Sequence, residues 1–174
     1  MRKIKTGLVH IYTGTGKGKT SAAIGLAVRA AGRGMKVYMQ QFIKNAPCGA
    51  GVALKKLPNI RIEQCGRGCF IKRRPAGRDM NYARRGLERV RKIMAGGKFD
   101  MIIMDEVNPA MKCGLVDIAE IAELIRPRQQ RPEIVLTGRD CPVSIIALAD
   151  LVTEMREVKH PYRSGVGARK GIEF

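Results

Sequence analysis

Thr13-Gly14-Thr15-Gly16-Lys17-Gly18-Lys19-Thr20-Ser21 is the stretch that decides the fold. A short apolar run, Leu8 to Tyr12, precedes it, and a helical pattern from Ala22 to Ala31 follows. Strand, glycine-rich turn and helix is the layout of a phosphate-binding loop. Glycines let successive backbone N–H groups point into one concavity, and the helix start adds unpaired N–H groups and a partial positive charge. Lys19 then supplies an ammonium to the phosphates and Thr20 a hydroxyl to a magnesium ion. Counting back from Gly18-Lys19-Thr20, the usual first glycine falls at position 13, which is Thr, so Gly14 sits one residue late. The loop has a compressed middle carrying an extra lysine, Lys17.

Outward from the loop, apolar and turn-forming segments alternate. Val37 to Phe42, Ile60 to Gln64, Met101 to Met104, Ile134 to Thr137 and Leu151 to Met155 read as strands. Thr20 to Arg33, Val52 to Leu57, Met80 to Ala95, Leu115 to Ile125 and Val143 to Ala149 read as helices. In the longest of these, Ala83, Leu87, Val90 and Met94 share one face, which predicts a core-facing stripe. Asn45 to Gly51 and Cys65 to Arg78 read as loops, and the chain after Met155 as an irregular tail. Strands alternating with helices imply an α/β fold with a mostly parallel sheet flanked by helices. No repeat or linker divides the chain, so residues 1–174 are expected to form one domain.

A second element belongs with the loop. Met101-Ile102-Ile103-Met104 is an apolar run closed by Asp105-Glu106, the form of a strand buried on both faces that delivers carboxylates at its end. A carboxylate there can hold Mg²⁺ directly or through water, opposite the Thr20 hydroxyl, and Glu106 can be a second ligand or orient a nucleophile.

Charge and cysteine usage set the outer bounds. The 174 residues carry 33 Lys and Arg against 15 Asp and Glu, a formal net charge of +18. Such a balance favours polyanionic partners. The basic residues are dispersed, aromatic residues are few and Trp is absent, which argues against a base-stacking nucleic-acid surface. Five cysteines, Cys48, Cys65, Cys69, Cys113 and Cys141, are odd in number and irregular in spacing. They predict free thiols in a reducing cytoplasm rather than a disulfide framework, and Cys65-x-x-x-Cys69 is not a standard metal-ligand pair. No stretch is apolar for the roughly 18–20 residues that span a bilayer, and no secretory signal precedes the first strand.

Taken together these pieces resemble the P-loop class of ATP:corrinoid adenosyltransferases. The resemblance covers nearly the whole chain: Gly14 to Ser21, Gln41-Phe42-Ile43-Lys44, Leu57-Pro58-Asn59, Met104-Asp105-Glu106-Val107-Asn108, Val135 to Arg139, and Gly171-Ile172-Glu173-Phe174. The run from Ala149 to Tyr162 is its most specific part. The resemblance implies a RecA-like P-loop fold, usually a homodimer, with ATP as co-substrate and Mg²⁺ or Mn²⁺ as cofactor. A corrinoid Co(I) attacks C5′ of ATP, the whole triphosphate leaves, and a cobalt–carbon bond forms. It also implies that the nucleotide lies reversed relative to ordinary P-loop ATPases, so the loop stabilises a leaving triphosphate.

Carried onto this sequence, Gly14, Thr15, Gly16, Lys17, Gly18, Lys19, Thr20 and Ser21 bind the triphosphate, and Arg29 lies near the nucleotide. Lys17 and Lys19 neutralise the leaving group; Thr20 and Glu106 hold the cation, with Asp105 holding it directly or through water. Gly68 to Ile71 match a loop beneath the corrin, where aromatic residues displace the lower axial base, and Phe70 is the only wedge this chain offers. Three departures stand out: one aromatic in that loop, Gly49-Ala50 where the family has Gly-Glu, and Pro109 where Tyr is common. The amino-terminal helix of longer members has no counterpart. The basic surface suggests docking to an acidic flavoprotein reductant. Two other readings remain open on sequence grounds: a RecA-like ATPase stimulated by nucleic acid, suggested by the charge and the arginines between Arg73 and Arg91, and a corrinoid carrier without turnover.

Overall fold

A computed structural model describes residues 7–46, 48–68, 76–126 and 132–173. Six strands, β1 (Val9–Thr13), β2 (Val37–Ile43), β3 (Ile60–Gly66), β4 (Met101–Asp105), β5 (Glu133–Thr137) and β6 (Leu151–Glu154), form one sheet in the order β3-β2-β4-β5-β1-β6. Every pairing is parallel, so "mostly parallel" becomes entirely parallel. The helices among the described residues are α1 (Lys19–Gly32), α2 (Gly49–Leu54), α3 (Gly77–Ala95), α4 (Val107–Lys112), α5 (Ile118–Ile125) and α6 (Val143–Ile146), with a 3₁₀ turn at Pro161–Ser164.

The period-two geometry of a strand explains how one sheet serves two cores. In β4, Met101 and Ile103 pack on one face with Val37, Met39 and Val135, against Ala23, Ala27 and Ala30 of α1. Ile102 and Met104 pack on the other with Val9, Ile11, Phe42 and Leu136, against Ala83, Leu87 and Val90 of α3 and Ile121 and Ile125 of α5. Alanines on α1 let that helix lie close to the sheet, which brings its start to the end of β1. Of the stripe on α3, Ala83, Leu87 and Val90 are buried and Met94 packs at its edge. Gly86 completes the stripe: a Cβ there would come within 2.2 Å of the Cys65 sulfur.

Several boundaries move for identifiable reasons. α2 begins at Gly49, inside the segment read as loop, because the Cys48 sulfur accepts from Gly51 N–H and starts the helix early. α3 starts at Gly77, where Asp79 reaches back to accept from the Ala76 N–H. The segment read as one helix from Leu115 to Ile125 begins only at Ile118, with the Asp117 carboxylate accepting from the Ala119 N–H. α4, directly after Glu106, has no sequence signature, since its six residues include Pro109. No helix among the described residues is long and apolar enough to cross a membrane.

Candidate active site

In an all-parallel sheet the carboxyl ends of the strands lie along one edge, and the chain reverses direction there between strands that are not sequence neighbours. β5 is inserted between β1, which carries the glycine-rich loop, and β4, which carries Asp105. The ends of β1, β2, β4, β5 and β6 therefore converge on one crevice.

The loop itself is fixed by β6. Thr13 is still strand, and its carbonyl accepts from the Met155 N–H, while the Gly16 N–H donates to the Met155 carbonyl at 2.6 Å. Gly14 has φ +95°, and a Cβ on it would lie 2.5 Å from the Met155 oxygen. Gly16 is equally confined, 2.7 Å from the same oxygen. The late first glycine thus has a packing cause: residue 14 is where the chain leaves the sheet against β6. Gly18, at φ +118°, opens α1 with no side-chain cap and no acidic residue in the first turn. A fourteen-residue helix with an uncapped start keeps N–H groups and positive potential for an anion.

Lys19 folds back over the loop. Its ammonium donates to the Gly14 carbonyl at 2.7 Å and the Gly16 carbonyl at 2.6 Å, and the residue is buried. Burial, then the nearby Arg139 charge, pulls its pKa below the ordinary lysine value, against the opposing pull of Glu106 and Asp140. A buried cation of this kind gains most from an adjacent anion. Lys17 is half-exposed and reaches Glu173 of the C-terminal turn at 2.8 Å.

Asp105 is the hub of the crevice. It is fully buried, and its Oδ1 accepts from the hydroxyls of Thr20 and Thr137, each at 2.7 Å. Oδ2 accepts from Gln41 Nε2 and Lys44 Nζ, each at 2.9 Å. Thr137 also accepts the Glu106 N–H at 3.1 Å, linking β5 to the turn after β4. Burial first, and the neighbouring Asp105 charge second, push the Glu106 carboxyl above the usual range, with Lys44, Lys19 and Arg139 opposing. The Lys44 ammonium is pulled down by burial, but the Asp105 charge and hydrogen bond outweigh that and leave it raised.

Backbone strain gathers at the same edge. Among the described residues the non-glycine positions with positive φ are Ile43, the last residue of β2 (65°), Glu106 after β4 (60°) and Asp140 after β5 (56°). Each left-handed residue costs on the order of 1–3 kcal/mol and persists where surrounding contacts over-determine it.

The structure brings together the loop residues Gly14 to Ser21, Asp105 and Glu106. It does not bring Arg29 to them: Arg29 is exposed in the last turn of α1, about 15 Å along the axis from Lys19 at helical rise. Phe70 lies outside the described residues, as do Cys69 and Ile71. Gln41, Lys44, Thr137 and Met155 acquire contacts that sequence reasoning did not assign. The available signal was polarity at the end of a buried parallel strand, as in Gln40-Gln41 and Thr137, because such strands are otherwise apolar.

Among the described residues no group of three or more His, Cys, Asp or Glu side chains could hold a metal ion. The Thr20 hydroxyl and the Glu106 carboxyl are oxygen donors of the kind a hard cation shares with phosphates and water, and both adjoin Asp105, Thr20 by hydrogen bond and Glu106 in sequence.

A parallel α/β sheet with a glycine-rich loop after its first strand and an Asp-Glu pair across an inserted strand defines a P-loop protein of RecA-like architecture. Comparison with known sequences narrows the class. The family described as ATP:corrinoid adenosyltransferase BtuR/CobO/CobP matches residues 5–174, and the chain belongs to that family. It is 33% identical over 174 residues to a corrinoid adenosyltransferase of Sinorhizobium, covering 97% of this chain and 80% of the relative. It is 34% identical over 170 residues to that of Pseudomonas aeruginosa, covering 97% and 84%. For the Escherichia coli K12 protein of the same name the identity is 31% over 168 residues, covering 97% and 86%. Nothing in these matches favours a nucleic-acid-stimulated ATPase.

Proposed function

We propose that this protein transfers the 5′-deoxyadenosyl group of ATP to the Co(I) centre of a corrinoid, the reaction its family name describes. The cobalt electron pair forms the Co–C5′ bond, the C5′–O bond breaks, and triphosphate departs with that bond's pair, leaving formal Co(III). The observation that carries this reading is Lys19, a buried cation hydrogen-bonded to two loop carbonyls beside an uncapped helix start. That arrangement suits an oxyanion chain whose charge grows as the bond breaks.

In this reading Gly14, Thr15, Gly18 and Ser21 supply backbone and hydroxyl donors to the triphosphate, Gly16, whose N–H is held by the Met155 carbonyl, shapes the loop, and Lys17 and Lys19 neutralise the charge. Lys17 exchanges its Glu173 partner for phosphate. Thr20 and Glu106 hold Mg²⁺, which when bound neutralises charge on the departing phosphates. No general acid or base is required, because Co(I) is already a strong nucleophile, so positioning and electrostatics supply the catalysis. Arg29 reaches the nucleotide only if its ribose end extends along α1 from the loop, as a reversed orientation allows. Phe70 is assigned the lower face of the corrin.

We further infer that residues 1–174 act as one cytoplasmic adenosyltransferase domain, that two copies form a homodimer, and that a flavoprotein delivers electrons to the bound corrinoid. The test is anaerobic incubation with ATP, Mg²⁺ and chemically reduced cobalamin. A light-sensitive alkylcorrinoid supports the proposal; its absence with several corrinoids overturns it.

A further inference from the structure

We propose that Lys44 is a positioning residue of the phosphate–cation site: by occupying the last acceptor position on Asp105, it makes that carboxylate an anchor for the Thr20 hydroxyl and leaves cation ligation to Thr20 and Glu106. The inference rests on the reading of this crevice as a triphosphate and Mg²⁺ site, and assigns a role within it that the family name does not contain.

The first support is a count of acceptors. A carboxylate offers about four lone-pair sites. Asp105 has four donors in place, Thr20 and Thr137 on Oδ1 and Gln41 and Lys44 on Oδ2. The residue is fully buried, so no lone pair faces solvent. Because Thr20 donates its only proton to Asp105, the free lone pairs of its oxygen point elsewhere, which is the orientation a cation needs from a hydroxyl. Direct ligation by Asp105 would require expelling one of these donors.

The second support is the turn that presents Lys44. The Lys44 N–H donates to the Phe42 carbonyl at 2.7 Å across Ile43, whose φ is 65°. That is a γ-turn of the rare, strained hand, centred on a β-branched residue. The neighbouring strand holds it in place. A Cβ on Gly66 would lie 2.2 Å from the Ile43 carbonyl carbon, and the Gly68 N–H donates to the Ile43 oxygen at 3.2 Å. Without this turn β2 would run on past the crevice; with it, Lys44 bends back to Asp105. Strain maintained by Gly66, the last residue of β3, and Gly68 just beyond it is a feature the fold sustains at a cost, and its visible product is this one ion pair. Gln64, at the end of β3, donates to the Gln41 side-chain oxygen and so steadies the second donor on Oδ2.

The test measures binding of Mn²⁺ alone and of Mn²⁺ with ATP, by electron paramagnetic resonance of free Mn²⁺. The wild-type chain is compared with Lys44→Met, Lys44→Arg and the double variant Lys44→Met/Asp105→Asn. Removing the ammonium should weaken Mn²⁺ binding in the presence of ATP by roughly 10–100-fold, the usual effect of losing an outer partner of a metal site. It should also tighten binding of Mn²⁺ alone, because Oδ2 becomes free to ligate, and the double variant should abolish that gain. Lys44→Arg should stay close to wild type. Opposite signs with and without ATP are an outcome that loss of structure does not produce. Equal weakening in both conditions, or no change in either, overturns the proposal. If Lys44→Met alone does not fold, the double variant is compared with Asp105→Asn: equal Mn²⁺ binding with ATP in the two supports the proposal, because Lys44 then acts only through Asp105, and a further loss in the double variant, or wild-type binding in it, overturns it. Wild-type protein that binds no Mn²⁺ even with ATP refutes the underlying site assignment instead.

Discussion

Lys19 concentrates the chemistry of the loop in one side chain, since it is buried and its ammonium donates to the Gly14 and Gly16 carbonyls. Lys19→Ala should lower adenosyl transfer by on the order of 10²–10³-fold or more, as loss of a single preorganised donor does in other enzymes, with triphosphate release as the readout. Cys65 shows the opposite use of burial. Enclosure beneath Gly86 pushes its thiol up to about 12, a shift dominated by desolvation. Native protein at pH 8 should therefore leave Cys65 unmodified by a thiol reagent until it unfolds. The linkage runs the same way: above the ordinary thiol value the unfolded chain loses a proton that the folded chain keeps. Stability should thus fall between about pH 9 and about pH 12, a slope that Cys65→Ala flattens in denaturant titrations. At this scale the residues of the glycine-rich loop and the Asp105-Glu106 pair were legible in the sequence, because their chemistry depends on local order. The donors on Asp105 were not, since Gln41, Lys44 and Thr137 meet it only through the lateral order of the strands.

The glycine-rich loop and β6 behave as a single element. Met155 accepts from Gly16 and donates to Thr13, and both Gly14 and Gly16 lack the room for a Cβ beside it. Gly16→Ala should cost about 1–3 kcal/mol by overpacking and should weaken ATP binding as well, because the backbone must shift where phosphate docks. Calorimetric unfolding and ATP titration of the same variant check both halves, and a variant with intact ATP affinity would separate the loop from β6. In the sequence this last strand and the loop stand far apart, near opposite ends of the chain, and periodicity marks a strand without naming its neighbours. The strand-helix alternation was readable because two-faced burial leaves continuous apolar runs such as Met101 to Met104. α4 was not, because a short helix with an internal proline is set by packing of Val107, Ala110 and Met111 rather than by propensity.

For the molecule as a whole, the net charge of +18 becomes intelligible if a polyanionic substrate is its partner, although one triphosphate balances only a small part of it. Binding of Mg·ATP at about 100 times its Kd should add about 2.7 kcal/mol to stability, a rise of roughly 5–10 °C in Tm for a chain of this size. β6 closes the sheet as an edge strand with all four residues exposed. Sedimentation at increasing concentration should show a species of twice the chain mass if the proposed homodimer forms. The fold class was legible from the order of elements alone, whereas the complete parallelism of the sheet and the crevice between β1 and β4 emerge only from long-range pairing. The central claim is that this phosphate-binding loop expels triphosphate rather than moving a terminal phosphoryl group. Anaerobic turnover with reduced corrinoid, followed by phosphorus NMR of the products, tests it most directly. The expected result is triphosphate formed one-to-one with alkylcorrinoid; ADP and inorganic phosphate, without alkylcorrinoid, would contradict it.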